Sequence, residues 1–175
     1  PIAKAEEEAA KKAYAEVFPA ASEFKLLADA DVEGAGQDAQ WTEAGFSGVS
    51  VENVLAALDK DGTRMGYVLT VTSHEGYGGD ITFTMGIGND GTLNGISILN
   101  ISETAGLGMR AEEVLKPQFA DKNVEKFEYT KNGATSENQV DAISGATITT
   151  NAVTNGVNAG LYYFQTQLKG GSENE

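Results

Sequence analysis

The chain has 175 residues, 41% of them hydrophobic and 22% charged, enough for one domain with a sizeable core. A formal net charge of −14, from 26 acidic against 12 basic residues, argues against nucleic acid and against docking on anionic lipid, since both need clustered Lys and Arg. The absence of cysteine excludes thiol catalysis, disulfides and iron–sulfur ligation by this chain, and one histidine leaves little for a transition-metal site.

Residues 3–17 are rich in Ala, Glu and Lys and predict a helix with Ala9, Ala10, Ala13, Tyr14 and Val17 on its apolar side, ended at Pro19. Residues 20–48 carry little periodic signal; Gly34 and Gly36 mark a loop, and Trp41 and Phe46 are expected to pack in the core. Val49–Leu58, Arg64–Thr72, Asp80–Gly88 and Thr92–Ile101 then read as four strands, with Asp61-Gly62 and Asn89-Asp90-Gly91 supplying turns. A short helix is expected at Ala111–Lys116, interrupted by Pro117. Val124–Thr130 and Gln139–Ile143 read as two more strands around the polar turn Lys131–Asn138.

Val153, Val157, Leu161, Phe164 and Leu168 recur at helical spacing and predict a C-terminal helix, with Thr149 or Thr150 as its N-cap. Gly156 and Gly160 each cost about 1 kcal/mol relative to Ala inside a helix, which predicts close approach of another backbone there. The fold class that follows is α+β: a twisted, mostly antiparallel sheet (a meander or half-barrel) with flanking helices. Residues 1–19 are expected to form a stalk helix, 20–170 a single domain and 171–175 a disordered tail.

In a meander, successive connections alternate between the two ends of the sheet. The segments His74–Gly79 and Ser102–Met109 therefore share one rim, and the Asn89–Gly91 turn lies at the other. Between the last strand and the last helix stands Asp141-Ala142-Ile143-Ser144-Gly145-Ala146-Thr147, whose small residues bare the backbone ahead of a hydroxyl. A helix amino end suits an anion through its free N–H groups and its dipole, so a phosphate-bearing group at Thr147 is one reading. An ordinary strand-to-helix turn with a capping threonine is the other. The phosphate reading requires Ser144–Thr147 to reach the rim shared by the two loops.

Asp141–Thr147 resembles the flavinylation motif of FMN-binding domains in bacterial respiratory complexes. These include the G subunit of the Rnf ion-translocating electron-transport complex and the C subunit of the sodium-pumping NADH:quinone reductase. Glu103-Thr104-Ala105-Gly106-Leu107-Gly108 resembles that family's Glu-Thr-Pro-Gly-Leu-Gly loop, with Ala105 in place of the usual proline and so without its fixed φ. His74-Glu75-Gly76-Tyr77-Gly78-Gly79 resembles the glycine-rich loop before the family's central hairpin. The matches run from about Gly66 to Tyr163, and their order and spacing fit the Rnf protein better.

The resemblance implies FMN joined to Thr147 by a phosphoester, installed from FAD by a separate magnesium-dependent flavin transferase that reads Asp141; a turn-forming role for Asp141 is the competing reading. It places Ser144, Gly145, Ala146 and Thr150 at the phosphate, and Glu103 and Thr104 at the ribityl hydroxyls or ring edge. Leu107, Gly108, Met109, Tyr77 and Gly78 fall around the ring, although Leu107 and Met109 suit a core equally well and Tyr77 suits a loop anchor. His74 is expected at the rim without a catalytic role. No metal site is expected.

The implied function is electron relay through FMN by a carrier with no complete active site of its own, beside other membrane subunits of an Rnf-type complex. The chain has no dinucleotide fingerprint, so contact with NAD is expected to fall to other subunits. The sequence starts at Pro1 and has no apolar run near the ~20 residues of a membrane span, so it is expected to be the extracytoplasmic part of a protein anchored by a preceding helix. Two alternatives stand: an FMN domain feeding a different extracytoplasmic reductase, and a non-redox acidic surface module.

Overall fold

The computed structural model describes residues 11–26, 48–74, 79–101, 114–124, 126–130, 133, 135–136, 138–143 and 147–165. A helix, α1, covers residues 11–17. Five strands follow: β1 (Glu23–Leu26), β2 (Val49–Leu58), β3 (Arg64–Ser73), β4 (Ile81–Gly88) and β5 (Leu93–Ile101). They form one antiparallel sheet whose spatial order equals their chain order, so it is the expected meander, open rather than closed into a barrel. β1 adds a strand to the four expected. Its four residues, EFKL, are too few to show alternation, and it forms by pairing Phe24 with Ala57 and Leu26 with Leu55. The two turn glycines Gly62 and Gly91 have φ of +81° and +91°, as Asp-Gly turns require. Trp41 and Phe46 lie outside the described residues.

The two faces of the sheet are covered differently. Leu69 and Val71 of β3 and Ile81, Phe83, Met85 and Ile87 of β4 alternate onto one face and are fully buried in the main core. The opposite face packs Leu55, Ala57 and Val68 against Val17 and Phe18 at the end of α1. There the Val17 carbonyl lies against Gly86 and the Phe18 ring against Gly66, positions where a Cβ would collide. Glu16 locks α1 down further: its carboxylate pairs with Lys116 and accepts the Ser97 hydroxyl at 3.2 Å.

Residues 114–115 are helical, as expected, and the helix changes type next to Pro117. A 3-10 helix spans Lys116–Phe119 with the proline in its first turn, where its missing N–H goes unused. Residues 111–113 of the expected helix lie outside the described residues. Two short strands, β6 (Glu128–Thr130) and β7 (Gln139–Asp141), pair in parallel, Glu128 with Gln139 and Thr130 with Asp141. Both are shorter than expected, because side chains take the flanking backbone groups. Phe127 donates its N–H to Asn158 Oδ1 at 2.6 Å and accepts Asn158 Nδ2 at 2.8 Å; the Ile143 N–H goes to Thr150 Oγ1 at 3.0 Å.

The last helix, α2, spans Thr147–Tyr163 and lies between the sheet and the β6–β7 pair. It begins ahead of both residues expected to cap it: Thr149 and Thr150 are buried inside the helix, and the Thr150 hydroxyl serves the upstream chain instead. Close approach does occur at the two helical glycines, against side chains rather than a backbone. A Cβ at Gly156 would lie 2.9 Å from Phe83 Cε1, and one at Gly160 would overlap the Met85 sulfur. Among the described residues no helix is long and apolar enough to cross a membrane.

Candidate functional site

The direction of α2 decides where its amino end lies. Gly91, in the β4–β5 turn, sits 3.8 Å from the Phe164 ring when a Cβ is placed on it, and the Phe164 and Tyr67 rings meet edge-on at 6.1 Å. Gly160 packs on Met85, and Gly156 on Phe83 with the Ser73 Cβ 3.7 Å away. Followed backwards from Phe164, the helix therefore travels toward the end of the sheet where β3 stops and β4 starts. Thr147 lies nine residues before Gly156, about 13 Å farther along the axis at 1.5 Å per residue, so the first turns overhang that rim. β5 ends at the same rim with Ile101. The helix start thus reaches the end of the sheet from which both glycine-bearing connections leave. Of the residues expected around a flavin there, Tyr77, Gly78, Glu103, Thr104, Leu107, Gly108, Met109, Ser144, Gly145 and Ala146 lie outside the described residues.

Thr147 is the first residue of α2 and is partly exposed. No acidic side chain stands in the helix's own first turn, so none of those residues offsets the partial positive charge of the helix amino end. Ile148 beside it is 51% exposed and is the one exposed large hydrophobic among the described residues. Thr150, expected at the phosphate, is fully buried, and its Oγ1 receives the Ile143 N–H.

The stem of the motif is held along its length. Asp141 ends β7 with its side chain exposed. Its N–H donates to Gln118 Oε1 at 2.6 Å, and its carbonyl accepts from Gln118 Nε2 at 3.0 Å. The Ala142 N–H donates to the Thr130 carbonyl at 2.9 Å, and Ile143 is buried in the main core. Three consecutive residues before Ser144 are therefore pinned. Gln118 is invisible to sequence reasoning: a single glutamine with a partner 23 residues away has no local signature.

His74 sits at the rim, as expected, with its side chain 47% exposed. Its Nδ1 lies 2.9 Å from Asp80 Oδ1 and its Nε2 3.3 Å from Ser50 Oγ. Ser50 pairs with Thr72, on the sheet face turned away from α2, so this cluster is separate from the helix start. A groove of about 410 Å³ between Asp90, Asn123, Leu161 and Phe164 lies at the far end of α2 and contains none of the motif residues.

Residues 76–162 match the FMN-binding domain family. The chain is 34% identical over 158 residues to the G subunit of the Na(+)-translocating ferredoxin:NAD(+) oxidoreductase complex of Acetobacterium woodii, spanning 88% of this chain and 73% of that one. It is 31% identical to the G subunit of the ion-translocating oxidoreductase complex of Methanosarcina acetivorans, over 90% of this chain and 76% of that one. The crystal structure of Shewanella oneidensis NqrC has a similar fold, with a TM-score of 0.52 and 21% identity over 65% of this chain and 58% of NqrC.

Proposed function

The chain belongs to the family of FMN-binding G subunits of ion-translocating oxidoreductase complexes, and on that footing we propose that it relays electrons through one FMN carried on Thr147. Family membership sets aside the non-redox surface module. The observation that supports the attachment site is the start of α2: a partly exposed threonine opening a helix whose first turn carries no acidic side chain, overhanging the rim from which the two connections leave. These residues fit an esterified phosphate. The Thr147 side chain would be the tether, and the positive end of the α2 dipole would favour the phosphate there. When bound, FMN supplies a centre that accepts and gives one or two electrons.

A threonine hydroxyl is a weak nucleophile without a base or metal, and the chain's one histidine lies on the other sheet face. In our reading the bond is made by the separate magnesium-dependent flavin transferase that the family resemblance implies. Thr147 Oγ attacks the FMN phosphorus of FAD, AMP leaves, and the hydroxyl proton passes to the transferase. The exposed Asp141 side chain is the handle that the enzyme reads. The domain works on the extracytoplasmic face and passes electrons to other membrane subunits.

The test is co-expression with a flavin transferase. The intact mass is expected to rise by one FMN less one water, with a flavin spectrum that survives denaturation. Thr147→Ala is expected to abolish both, and peptide mapping to place the flavin at position 147. Flavin that washes off on denaturation, or that maps elsewhere, refutes the attachment.

A further inference from the structure

We propose that Gln118 is a positioning residue that preorganises the acceptor motif for flavin transfer. The inference rests on the covalent attachment proposed above and concerns a residue outside the motif. One side chain, Gln118, grips both backbone groups of Asp141, the motif's first residue: Oε1 takes its N–H at 2.6 Å and Nε2 gives to its carbonyl at 3.0 Å. The second Nε2 hydrogen goes to the Val114 carbonyl at 2.8 Å, so the amide has one workable orientation; reversed, it would set oxygen against two carbonyls.

The grip is itself anchored. Leu115 and Phe119 on either side are fully buried, the Phe119 ring meets Phe127 at 5.0 Å, and Lys116 is paired with Glu16 of α1. Downstream, Thr130 holds Ala142 and Thr150 holds Ile143. Only residues 144–146 then separate the fixed stem from the first residue of α2. The transferase meets a short span with both ends fixed, and the conformational entropy of the stem has been lost before the encounter. Releasing the grip lowers the fraction of molecules that present the binding-competent stem, and apparent affinity falls by that fraction. A defect of this kind appears in KM, because every complex that forms still reacts at its usual rate.

The variants are Gln118→Met, which keeps length and packing but neither donates nor accepts, and Gln118→Glu, which accepts but cannot donate to the two carbonyls. Full-chain apoprotein is offered to the transferase with FAD, and amide exchange is followed in parallel. Both variants are expected to raise the transferase KM for this protein about tenfold with kcat unchanged, and to speed exchange at Asp141 and Ala142 by about the same factor. The attached flavin should still map to Thr147. A wild-type KM in both variants, a fall in kcat alone, or wild-type exchange at Asp141 overturns the assignment. If the wild-type chain takes no flavin, the attachment reading fails instead, and exchange at Asp141 still decides whether Gln118 orders the stem.

Discussion

At the scale of single residues, Gly156 and Gly160 show how tightly α2 is set onto β4. Alanine is normally favoured over glycine in a helix by about 1 kcal/mol. Here the sign should reverse, because a methyl at Gly160 would overlap the sulfur of the fully buried Met85, and one at Gly156 would press on the Phe83 ring. Gly160→Ala is expected to destabilise by about 1–3 kcal/mol in urea unfolding. Adding Met85→Ala should cost less than the two single changes summed, giving a clear coupling energy in a double-mutant cycle. A stabilised Gly160→Ala would mean that the helix stands farther from the sheet. The glycines were legible in the sequence because they interrupt a strong helical pattern. Thr147 could be proposed from the sequence because its motif is contiguous. Gln118 and Asn158 were not, since each acts across the fold on backbone groups that any residue could provide.

Among elements, the junction of α2 with the β6–β7 unit depends on Asn158, whose carboxamide satisfies both the N–H and the carbonyl of Phe127. That junction leaves α2 buried on more than one side: Ala152, Thr154 and Ala159 are buried along with Val153, Val157, Leu161 and Phe164 of the predicted apolar stripe, whose last member, Leu168, lies outside the described residues. Asn158→Leu is expected to cost about 2 kcal/mol, since it strands a backbone donor and a backbone acceptor. The exposed Asn151→Ala should stay within about 0.5 kcal/mol in the same urea titration. Equal effects would deny Asn158 its bridging role. The same contacts explain why the sequence overestimates the two short strands. Alternation predicts where a strand can form, but Asn158 and Thr150 capture the backbone at 127 and 143 before a partner strand can. The long hairpins have no such competitor, and their bounds were readable to within about a residue.

For the molecule as a whole, α1 matters because it closes the second face of the sheet. Tyr14 lies in that contact, and burial raises its phenol above the ordinary 10.0. A raised folded value favours the neutral phenol, so this contribution is full below pH 10 and is lost as pH rises through the folded value. At the acid limb Asp90 has the opposite sign. The Thr92 N–H holds its carboxyl below 3.8, so its small, solvent-screened contribution is present above that pH and fades as pH falls through the folded value. Thermal unfolding across pH should therefore show an alkaline decline above pH 10 that flattens in Tyr14→Phe; an unchanged alkaline limb would show that α1 docks without the phenol. The overall plan, a meander carrying a late helix, was readable because Asp-Gly turns punctuate β-rich runs. The short edge strand β1 was not, because its identity comes from the neighbour it pairs with.

The overhang of α2 gives the proposed tether a fixed compass bearing. Gly156 and Gly160 moor the rod to the sheet, so the quarter of solvent into which Thr147 points is set by counting residues back from that mooring. One residue fewer in the count would swing the attachment about 100° around the axis and draw it inward by about 1.5 Å. Loops at the rim can drift in length and composition, but the aim of a cofactor carried this way is written in the phase of a single helix.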